Sequence, residues 1–498
     1  MTDNSDLDPR GRDVEVGPLI VRTPGFEGRA VLLDETDVEG RGPQLGTEEL
    51  AQALAETDMS EKYTLELEDV RRDLNATDGD GRGREGGEEI VVEVPTPAAD
   101  EGQILMLVEE DGAITWHLPG ASETPIESRA REMVVFRLPA RVVPPPPEET
   151  DSSDRGILSA IGSKVLKILT YPLTPVLRAA GTAFTKAWET DHRPARFRML
   201  TPENYGTDQN VSELSREDWE RLSEGPALLF VHGTFASSHS AFRQLPADAL
   251  VELSHRYGGR VFALDHHSIW LPPSENAKLA AAAIPDGIPL EVDIVAHSRG
   301  GLIARELAER AADAGFGENL RVRRIVMVAT PNAGTALAEE ANLRKWLDII
   351  TNVAQFVPDN PVTDIIALVL TVLKQLALGV FEGLPGITSM DPAGKYLKAL
   401  NIDGNFEPKY YAIAAEFEPP EGAPLKRIAH DFAIDALFSG DKNDLIVPTA
   451  GVSVIPGLTR FAPESLVFDS GRGLDHSSFF GDAEVVAKLK EWLPGTAG

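Results

Sequence analysis

From residue 226 onward, short runs of consecutive apolar residues alternate with longer segments of amphipathic helical pattern. The apolar runs are ALLFV, RVFAL, LEVDIVA, RRIVMVA, KYYAIAA and SLVFD, and segments such as GLIARELAERAADAG lie between them. A strand that is apolar at every position needs cover on both faces, which is typical of a parallel sheet with helices on either side. The pattern therefore predicts the α/β class, with a mostly parallel central sheet, for residues 196–498.

The first third of the chain has a different pattern, in which short β-like segments are separated by polar, acidic stretches. The predicted strands are PLIVRT, RAVLLDE, EEIVVEV, QILMLVEEDGAITWHL (with EEDG as a hairpin turn) and EMVVFRLPARVV, and GTEELAQALAET predicts a short helix. The run ATDGDGRGREGGEE has no large apolar residue to bury and predicts a flexible linker. We interpret residues 1–88 as an acidic, partly disordered region and residues 89–143 as a small β-rich module.

The next segment changes character again. Residues 144–154 contain four consecutive prolines and predict a stiff linker. We then predict a helical segment over residues 155–195, because the apolar side chains of RGILSAIGSKVLKIL fall within an arc of roughly 120° at the helical period. Lys164 and Lys167 occupy the other side. A basic amphipathic helix can lie on an anionic membrane, but the apolar segment that follows favours packing against the neighbouring domain.

Residues 336–402 form a long insertion between two of the predicted sheet strands. Its centre, DIIALVLTVLKQLALGVF, is apolar nearly all round, which indicates a helix that is buried or meets lipid. The stretch carries a lysine and is shorter than the roughly 20 residues that a membrane span needs. We expect a buried helix of a lid or cap, whose apolar character would suit an apolar acyl group.

Composition narrows the function classes. The net charge is −32, and it is concentrated in residues 1–154, which hold 37 Asp/Glu against 14 Lys/Arg. An acidic protein repels phosphate backbones, so we do not expect nucleic acid as a partner. The chain has no cysteine and shows no metal-binding motif, so neither a metal nor a cofactor is expected. The polar start MTDNSDLDPRGRD lacks a signal-peptide pattern, and we expect a cytoplasmic protein.

The strongest chemical signal is the segment LEVDIVAHSRGGLIARELAER, in which a buried strand runs directly into a helix through Ser298. A nucleophilic serine on such a turn needs small residues two positions before and after it, so that strand and helix can approach closely. Ala296 and Gly300 meet this requirement. The main-chain N–H of Arg299, at the helix N-terminus, would face an oxyanion that forms on the substrate.

Residues 226–335 resemble the lipase/esterase branch of the α/β-hydrolase superfamily, through the motifs VHGT, VDIVAHSRGG and VMVATPNAGT. The usual motif has glycine two residues before the serine, and alanine is a minor variant of it. The resemblance implies an α/β-hydrolase fold with a helical lid insertion, preceded here by the small β-rich module. It also implies that Thr234, after the His232–Gly233 pair, supplies the second oxyanion donor.

The resemblance further implies the chain order serine, acid, histidine. SGDKNDLIVPTAGV resembles the lipase segment that carries the acid, which points to Asp444, with Asp441 in the same loop as the alternative. Two histidines follow residue 400, and His430 precedes the acid loop, so His476 is the expected base. His266 and His267 follow a predicted strand and either line the pocket or lie on the surface.

These residues together predict a serine hydrolase that cleaves carboxylic esters, with a small ester or lipid as substrate and an acyl-enzyme as intermediate. A thioesterase or amidase would use the same residues. A lipid- or partner-binding protein on a hydrolase fold is the alternative from another class, and the filled catalytic positions count against it.

Overall fold

The computed structural model describes residues 3–33, 47–72, 89–109, 114–120, 133–139, 160–174, 177, 183–208, 211–316, 319–354, 362–379, 384–402, 407–418, 438 and 440–497. Its strands are β1 Asn4–Asp6, β2 Val14–Val16, β3 Leu19–Arg22, β4 Phe26–Leu33, β5 Ser60–Arg72, β6 Glu89–Pro95, β7 Glu101–Glu109, β8 Ile114–His117, β9 Met133–Pro139, β10 Ala160–Pro172, β11 Arg196–Met199, β12 Ala227–Val231, β13 Val261–Asp265, β14 Leu290–His297, β15 Leu320–Val328, β16 Lys409–Ala415 and β17 Glu464–Phe468.

The α-helices are α1 Thr47–Glu56, α2 Ala183–His192, α3 Arg216–Leu222, α4 Ser238–Phe242, α5 Ala247–Arg256, α6 Pro273–Ala283, α7 Gly300–Glu309, α8 Ala311–Ala314, α9 Leu343–Ala354, α10 Val362–Ala377, α11 Pro385–Thr388, α12 Lys395–Leu400, α13 Thr449–Ser453 and α14 Ala483–Trp492. Short 3₁₀ helices cover Ala336–Ala338, Glu340–Asn342, Ser470–Arg472, Phe479–Gly481 and Gly495–Ala497.

The C-terminal part is built on a seven-stranded sheet in the order β11-β13-β12-β14-β15-β16-β17. All neighbours pair in parallel except β11 and β13, which are antiparallel. Side chains of α6 and α7 pack on one face of the sheet, and those of α5 and α14 pack on the other. The six strands predicted from apolar runs are confirmed, and their uniform burial in β12 and β13 follows from this double cover.

The N-terminal part forms two further sheets, of six strands (β1-β4-β5-β10-β7-β8) and four strands (β2-β3-β6-β9). Their apolar side chains meet in a shared core. The six strands predicted from five segments, two of them from the hairpin QILMLVEEDGAITWHL, and the helix α1 are confirmed, but the boundaries of the β-rich module are wrong. Strands from residues 3–33 and 60–72 and from residues 160–172 belong to the same sheets, so the module is larger than residues 89–143.

The predicted helical segment over residues 155–195 is wrong in its first half, because residues 160–172 form strand β10 in the middle of the six-stranded sheet. In its second half, Ala183–His192 is helical. Leu166 and Ile168 face the core between the two N-terminal sheets, whereas Val165 and Leu169 face helices α1 and α10. A strand covered on both faces is apolar at nearly every position, so its pattern also fits one side of a helix. Lys164 is buried against Glu109 (3.2 Å), so the basic helical face required for the membrane interpretation is not formed.

Helices α9 to α12 lie between β15 and β16, where the insertion over residues 336–402 was predicted. Every residue of α10 from Ile366 to Leu376 is buried, including Lys374 and Gln375. One side of α10 packs on α1 and on the sheet strands β7 and β10. The expected burial of the apolar helix is therefore confirmed, and the cover comes from the N-terminal sheet.

Helix α9 binds the free edge of strand β8 through three of its polar side chains. The Ile114 N–H donates to Asn352 Oδ1 (2.9 Å), and Asn352 Nδ2 donates to the Ile114 carbonyl (2.7 Å). The Trp116 N–H donates to Asp348 Oδ1 (2.9 Å), and Trp116 Nε1 donates to Thr351 (3.0 Å). The helix thus supplies the hydrogen bonds that a further strand would make, which joins the N-terminal sheet to the insertion.

Several sequence predictions fall outside the described residues: the linker over residues 144–154, most of the glycine-rich run, most of the EEDG turn and His430. Among the described residues, no helix has the length and apolarity required to cross a membrane.

We expect Asn352→Ala to destabilise the protein by about 2 kcal/mol or more, because it leaves a buried main-chain N–H and carbonyl of Ile114 without partners. Urea denaturation should measure the change. Lys345→Ala on the exposed side of the same helix should stay within about 0.5 kcal/mol of wild type. Equal stability of the two variants would contradict the role given to Asn352.

Candidate active site

Ser298 lies at the turn between β14 and α7, in the left-handed backbone region with φ of 54°. A non-glycine residue in this region is strained and needs support from its surroundings. The support includes the Ser298 N–H, which donates to the Val328 carbonyl (2.8 Å). A Cβ at Gly300 would lie 2.4 Å from the carbonyl oxygens of Val231 and His232, so this position accepts only glycine. The small residues of the motif thus permit the close approach of helix and strand.

The buried Asp444 and the partly buried His476 form a hydrogen-bonded pair at the carboxyl edge of the sheet. His476 Nδ1 lies 2.9 Å from Asp444 Oδ2, and the His476 N–H donates to the Asp444 carbonyl (2.9 Å). The other carboxylate oxygen, Oδ1, accepts the N–H groups of Ile446 (3.1 Å) and Val447 (2.8 Å). The alternative acid Asp441 is exposed. The geometry therefore pairs His476 with Asp444, and the hydrogen bonds hold the carboxylate in one orientation.

His297, the neighbour of Ser298, fixes the position of the His476 main chain. Its Nε2–H donates to the His476 carbonyl (2.9 Å), and the two rings lie 5.0 Å apart between centroids. Burial lowers the pKa of His297 to about 3, so this ring is neutral at ordinary pH. The structure thereby brings His476 to the residue that precedes the serine. Sequence reasoning missed His297, since its contact spans 179 residues and has no local pattern.

The His232–Gly233–Thr234 turn lies directly against the serine. A Cβ at Gly233 would meet Ser298 Cβ at 2.7 Å and Ser298 Oγ at 3.2 Å, so only glycine fits there. Thr234 follows, and its Oγ1 lies 4.0 Å from Met390 Sδ. Phe235 next to it has a positive φ of 59°, which turns the chain sharply. The predicted donor Thr234 is therefore adjacent to the glycine that contacts Ser298.

Two stacked histidines hold this turn. The rings of His232 and His266 lie 3.9 Å apart and are parallel within 2°. His232 Nε2 accepts the N–H of His266 (3.1 Å), which leaves the ring proton on Nδ1, facing the Gly233 carbonyl (2.8 Å). His266 Nε2–H in turn donates to the His232 carbonyl (2.9 Å). Burial lowers the pKa of His232 to about 3 and that of His266 well below its usual value, so both rings are neutral.

The Arg299 side chain is fully buried, although sequence reasoning considered only its main chain. Its Nε–H donates to the Gly386 carbonyl (2.8 Å), and a second guanidinium nitrogen donates to the Leu271 carbonyl. A third guanidinium nitrogen lies 3.4 Å from Nδ1 of His266. Burial lowers the pKa of Arg299 to about 10, which still leaves it charged at neutral pH.

His266 and His267 were predicted either to line the pocket or to lie on the surface. Both are buried in the loop that follows β13. His266 supports the turn beside the serine through His232, and the His267 carbonyl accepts Asn276 Nδ2 (2.8 Å). Among the described residues, no group of three or more His, Asp or Glu side chains is arranged to hold a metal ion.

The mostly parallel sheet, covered by helices on both faces, places the C-terminal part in the α/β class, and its serine lies at a strained strand-to-helix turn. The chain belongs to the family described as "Domain of unknown function (DUF7379)", which matches residues 192–494 and so more than half of its length. No curated protein matches the chain.

Several solved structures are distantly similar. The mature lipase BlEst2 of Bacillus licheniformis is 18% identical, with a TM-score of 0.34, over 54% of this chain and 92% of that one. Lipase 1 of Pelosinus fermentans is 13% identical, with a TM-score of 0.39, over 54% and 97%. The metagenomic carboxyl esterase MGS0156 is 17% identical, with a TM-score of 0.31, over 58% and 75%.

We expect Gly300→Ala to destabilise the protein by about 1–3 kcal/mol, because the added methyl group would overlap two main-chain carbonyls that cannot rotate away. The midpoint of urea denaturation measures the effect. Gly206→Ala is the matched control, since the atom nearest to its added Cβ is Arg243 Cβ at 4.0 Å. If both variants are as stable as wild type, the close approach at the turn is not what requires glycine.

Proposed function

We propose that this chain is a serine hydrolase of the α/β-hydrolase superfamily that cleaves carboxylic esters, with Ser298 as nucleophile, His476 as base and Asp444 as acid. The observation that carries the proposal is the hydrogen-bonded pair of His476 Nδ1 and the buried Asp444 Oδ2 (2.9 Å). This pair is connected through His297 to a serine in a strained, left-handed conformation. A serine, a base and an orienting acid are the three groups that nucleophilic catalysis needs.

Each group has a defined proton position in the proposed reaction. His476 Nδ1–H donates a hydrogen bond to the Asp444 carboxylate, which leaves Nε2 as the lone-pair nitrogen that takes the Ser298 proton. The imidazolium that forms is stabilised by Asp444, whose second oxygen stays bound to two main-chain N–H groups. His476 then returns the proton to the leaving alcohol, and water hydrolyses the acyl-enzyme by the reverse sequence.

The negative oxygen of the tetrahedral intermediate needs donors that are already in place. We propose the main-chain N–H groups of Arg299, which follows Ser298 in sequence, and of Thr234, which follows the glycine that contacts Ser298. The turn that carries Thr234 is held by the stacked rings of His232 and His266. Donors that are fixed before the reaction need no reorganisation as the charge develops.

We propose that the substrate has a lipophilic acyl group, because the insertion brings apolar side chains to the Thr234–Phe235 turn, which follows the glycine that contacts Ser298. Phe235, next to the proposed donor Thr234, packs edge-to-face on Trp346 of α9 at 5.9 Å between ring centroids. Met390 contacts Thr234 itself. In this proposal helices α9 to α12 form the lid. A panel of chromogenic esters of increasing chain length tests it, and a preference for acetyl esters would contradict it.

Ser298→Ala should abolish both ester hydrolysis and labelling by a fluorophosphonate probe, because no nucleophile remains. The measurement is initial rate on a p-nitrophenyl ester, together with gel fluorescence after labelling. Ser465→Ala, on the exposed strand β17, is the control and should behave as wild type. Near wild-type turnover in Ser298→Ala would show that the proposed nucleophile is wrong. Wild-type protein that neither hydrolyses esters nor reacts with the probe would favour a binding protein.

Asp444→Asn should lower kcat by a factor on the order of 10⁴, the precedent for removing the acid of such a triad. The amide disfavours the His476 tautomer that leaves Nε2 free to accept the serine proton. Asp441→Asn changes an exposed carboxylate of the same loop and should leave kcat within about twofold of wild type. Steady-state kinetics of the two variants decide between the acids, and the reverse outcome would assign the role to Asp441.

A further inference from the structure

Glu189, on helix α2, is a fully buried carboxylate outside the proposed triad. It lies before residues 192–494, the part of the chain that matches the family. Its Oε1 accepts the N–H of Ser268 (2.7 Å), and its Oε2 accepts the N–H groups of Ile269 (3.0 Å) and Trp270 (3.1 Å). Three successive N–H groups of the loop after β13 therefore converge on one side chain.

The main-chain carbonyls of the same loop are bound by the positively charged side chain of Arg299, directly and through Gly386. The Leu271 carbonyl accepts a guanidinium N–H of Arg299, and the Ile269 carbonyl accepts the Gly386 N–H (2.8 Å). The Gly386 carbonyl accepts a second N–H of Arg299 (2.8 Å). The loop is thus held between a buried carboxylate and a buried guanidinium, each of which bonds to the main-chain groups of opposite polarity.

The loop after β13 contacts the chain on both sides of the Gly233–Thr234 turn. At one end, His266 Nε2–H donates to the His232 carbonyl (2.9 Å). At the other end, the Phe235 N–H donates to Ser268 Oγ (3.3 Å), whose own hydroxyl donates to Glu189 Oε1 (3.2 Å). A continuous path of hydrogen bonds therefore connects Glu189 to the residue after the proposed donor Thr234.

A carboxylate suits this position because it has acceptors only. A glutamine would direct an NH₂ group at N–H donors and leave at least one of them unpaired in a buried place. The negative charge also offsets the buried charge of Arg299, whose pKa it raises against the lowering effect of burial. The charge of Glu189 therefore binds the N–H groups of the loop directly. It also stabilises the charged form of Arg299, which binds the loop from the carbonyl side.

We propose that Glu189 is a positioning residue for the oxyanion hole: it fixes the loop over residues 266–271 and, through Ser268 and His266, the orientation of the Thr234 N–H. The inference rests on the proposed function, in which that N–H stabilises the intermediate. Displacement of a group at the reacting centre by about 1 Å can cost on the order of 100-fold in rate. A loss of this kind lowers kcat and leaves KM nearly unchanged, since the donor acts mainly in the transition state.

The test compares full-length wild type, Glu189→Gln and Asp293→Asn in hydrolysis of a short p-nitrophenyl ester. Asp293 is the matched control, a fully buried carboxylate that binds Tyr257 and Arg323 and lies five residues before Ser298 on β14. We expect Glu189→Gln to lower kcat about 10- to 100-fold with KM within about threefold of wild type. Asp293→Asn should lower stability but keep kcat per folded molecule. Equal kcat in Glu189→Gln and wild type would overturn the proposal.

Ser268→Ala provides a second variant in case Glu189→Gln fails to fold. It removes only the hydroxyl that connects Glu189 to Phe235, so we expect a smaller loss of kcat. Where both single variants fold, the double variant should lose less than the product of the two single losses. Multiplicative losses, or an unchanged kcat in Ser268→Ala, would overturn the proposed path.

Hydrogen exchange separates this inference from the proposed function. In Glu189→Gln, or in Ser268→Ala if the first variant does not fold, amides over residues 232–236 should exchange faster than in wild type. Those of β15, from Leu320 to Val328, should be unchanged. If wild type has no ester activity but the variant still exchanges faster than wild type over residues 232–236, the proposed function is contradicted and the link from Glu189 is supported. Unchanged exchange over residues 232–236 would overturn the link, whether or not the protein hydrolyses esters.

Discussion

Burial of helix α10 is the interaction that joins the two halves of the molecule. Eleven consecutive residues of this helix, from Ile366 to Leu376, are shielded from water, so none of its sides is available to solvent. Each fully buried large apolar side chain contributes roughly 1.5–3 kcal/mol. Helices α1, α2 and α9 cover part of this surface, and the six-stranded N-terminal sheet covers another part through β7 and β10. The insertion and one face of the six-stranded N-terminal sheet therefore share a single hydrophobic core.

The position of this core at the carboxyl edge of the parallel sheet determines what surrounds the serine. Strand ends in such sheets leave their loops on one edge, where ligands usually bind. Here the loops are fixed by buried polar groups and not by strand pairing: neutral histidines support the turn at Gly233, and opposite charges hold the loop after β13. A charge or a polar ring within an apolar core is tolerated only with partners, so these groups leave few alternative arrangements.

The sequence predicted the parts of the fold and site that have local patterns. Strands of the parallel sheet were visible as uniform apolar runs, and the residues around Ser298 had to be small for a strand to turn directly into a helix. Strand β10 was misjudged because cover on both faces removes the alternation that distinguishes strands. His297, Glu189 and the Arg299 side chain were missed for another reason: their partners lie 179, 79 to 81 and 28 to 87 residues away. No periodicity can reveal contacts over such separations.

The hydrogen bonds between β8 and helix α9 also bear on how the chain is made. Asp348 and Asn352 follow their partners on β8 by 232 and 238 residues. At roughly 5–20 residues per second, a ribosome needs on the order of 10–50 s to synthesise that interval. During this time the outer edge of β8 lacks the groups that will cover it, and an open strand edge can pair with other chains. The N-terminal sheet is thus translated first but completed late. Aggregation therefore competes with folding while the chain is still being synthesised.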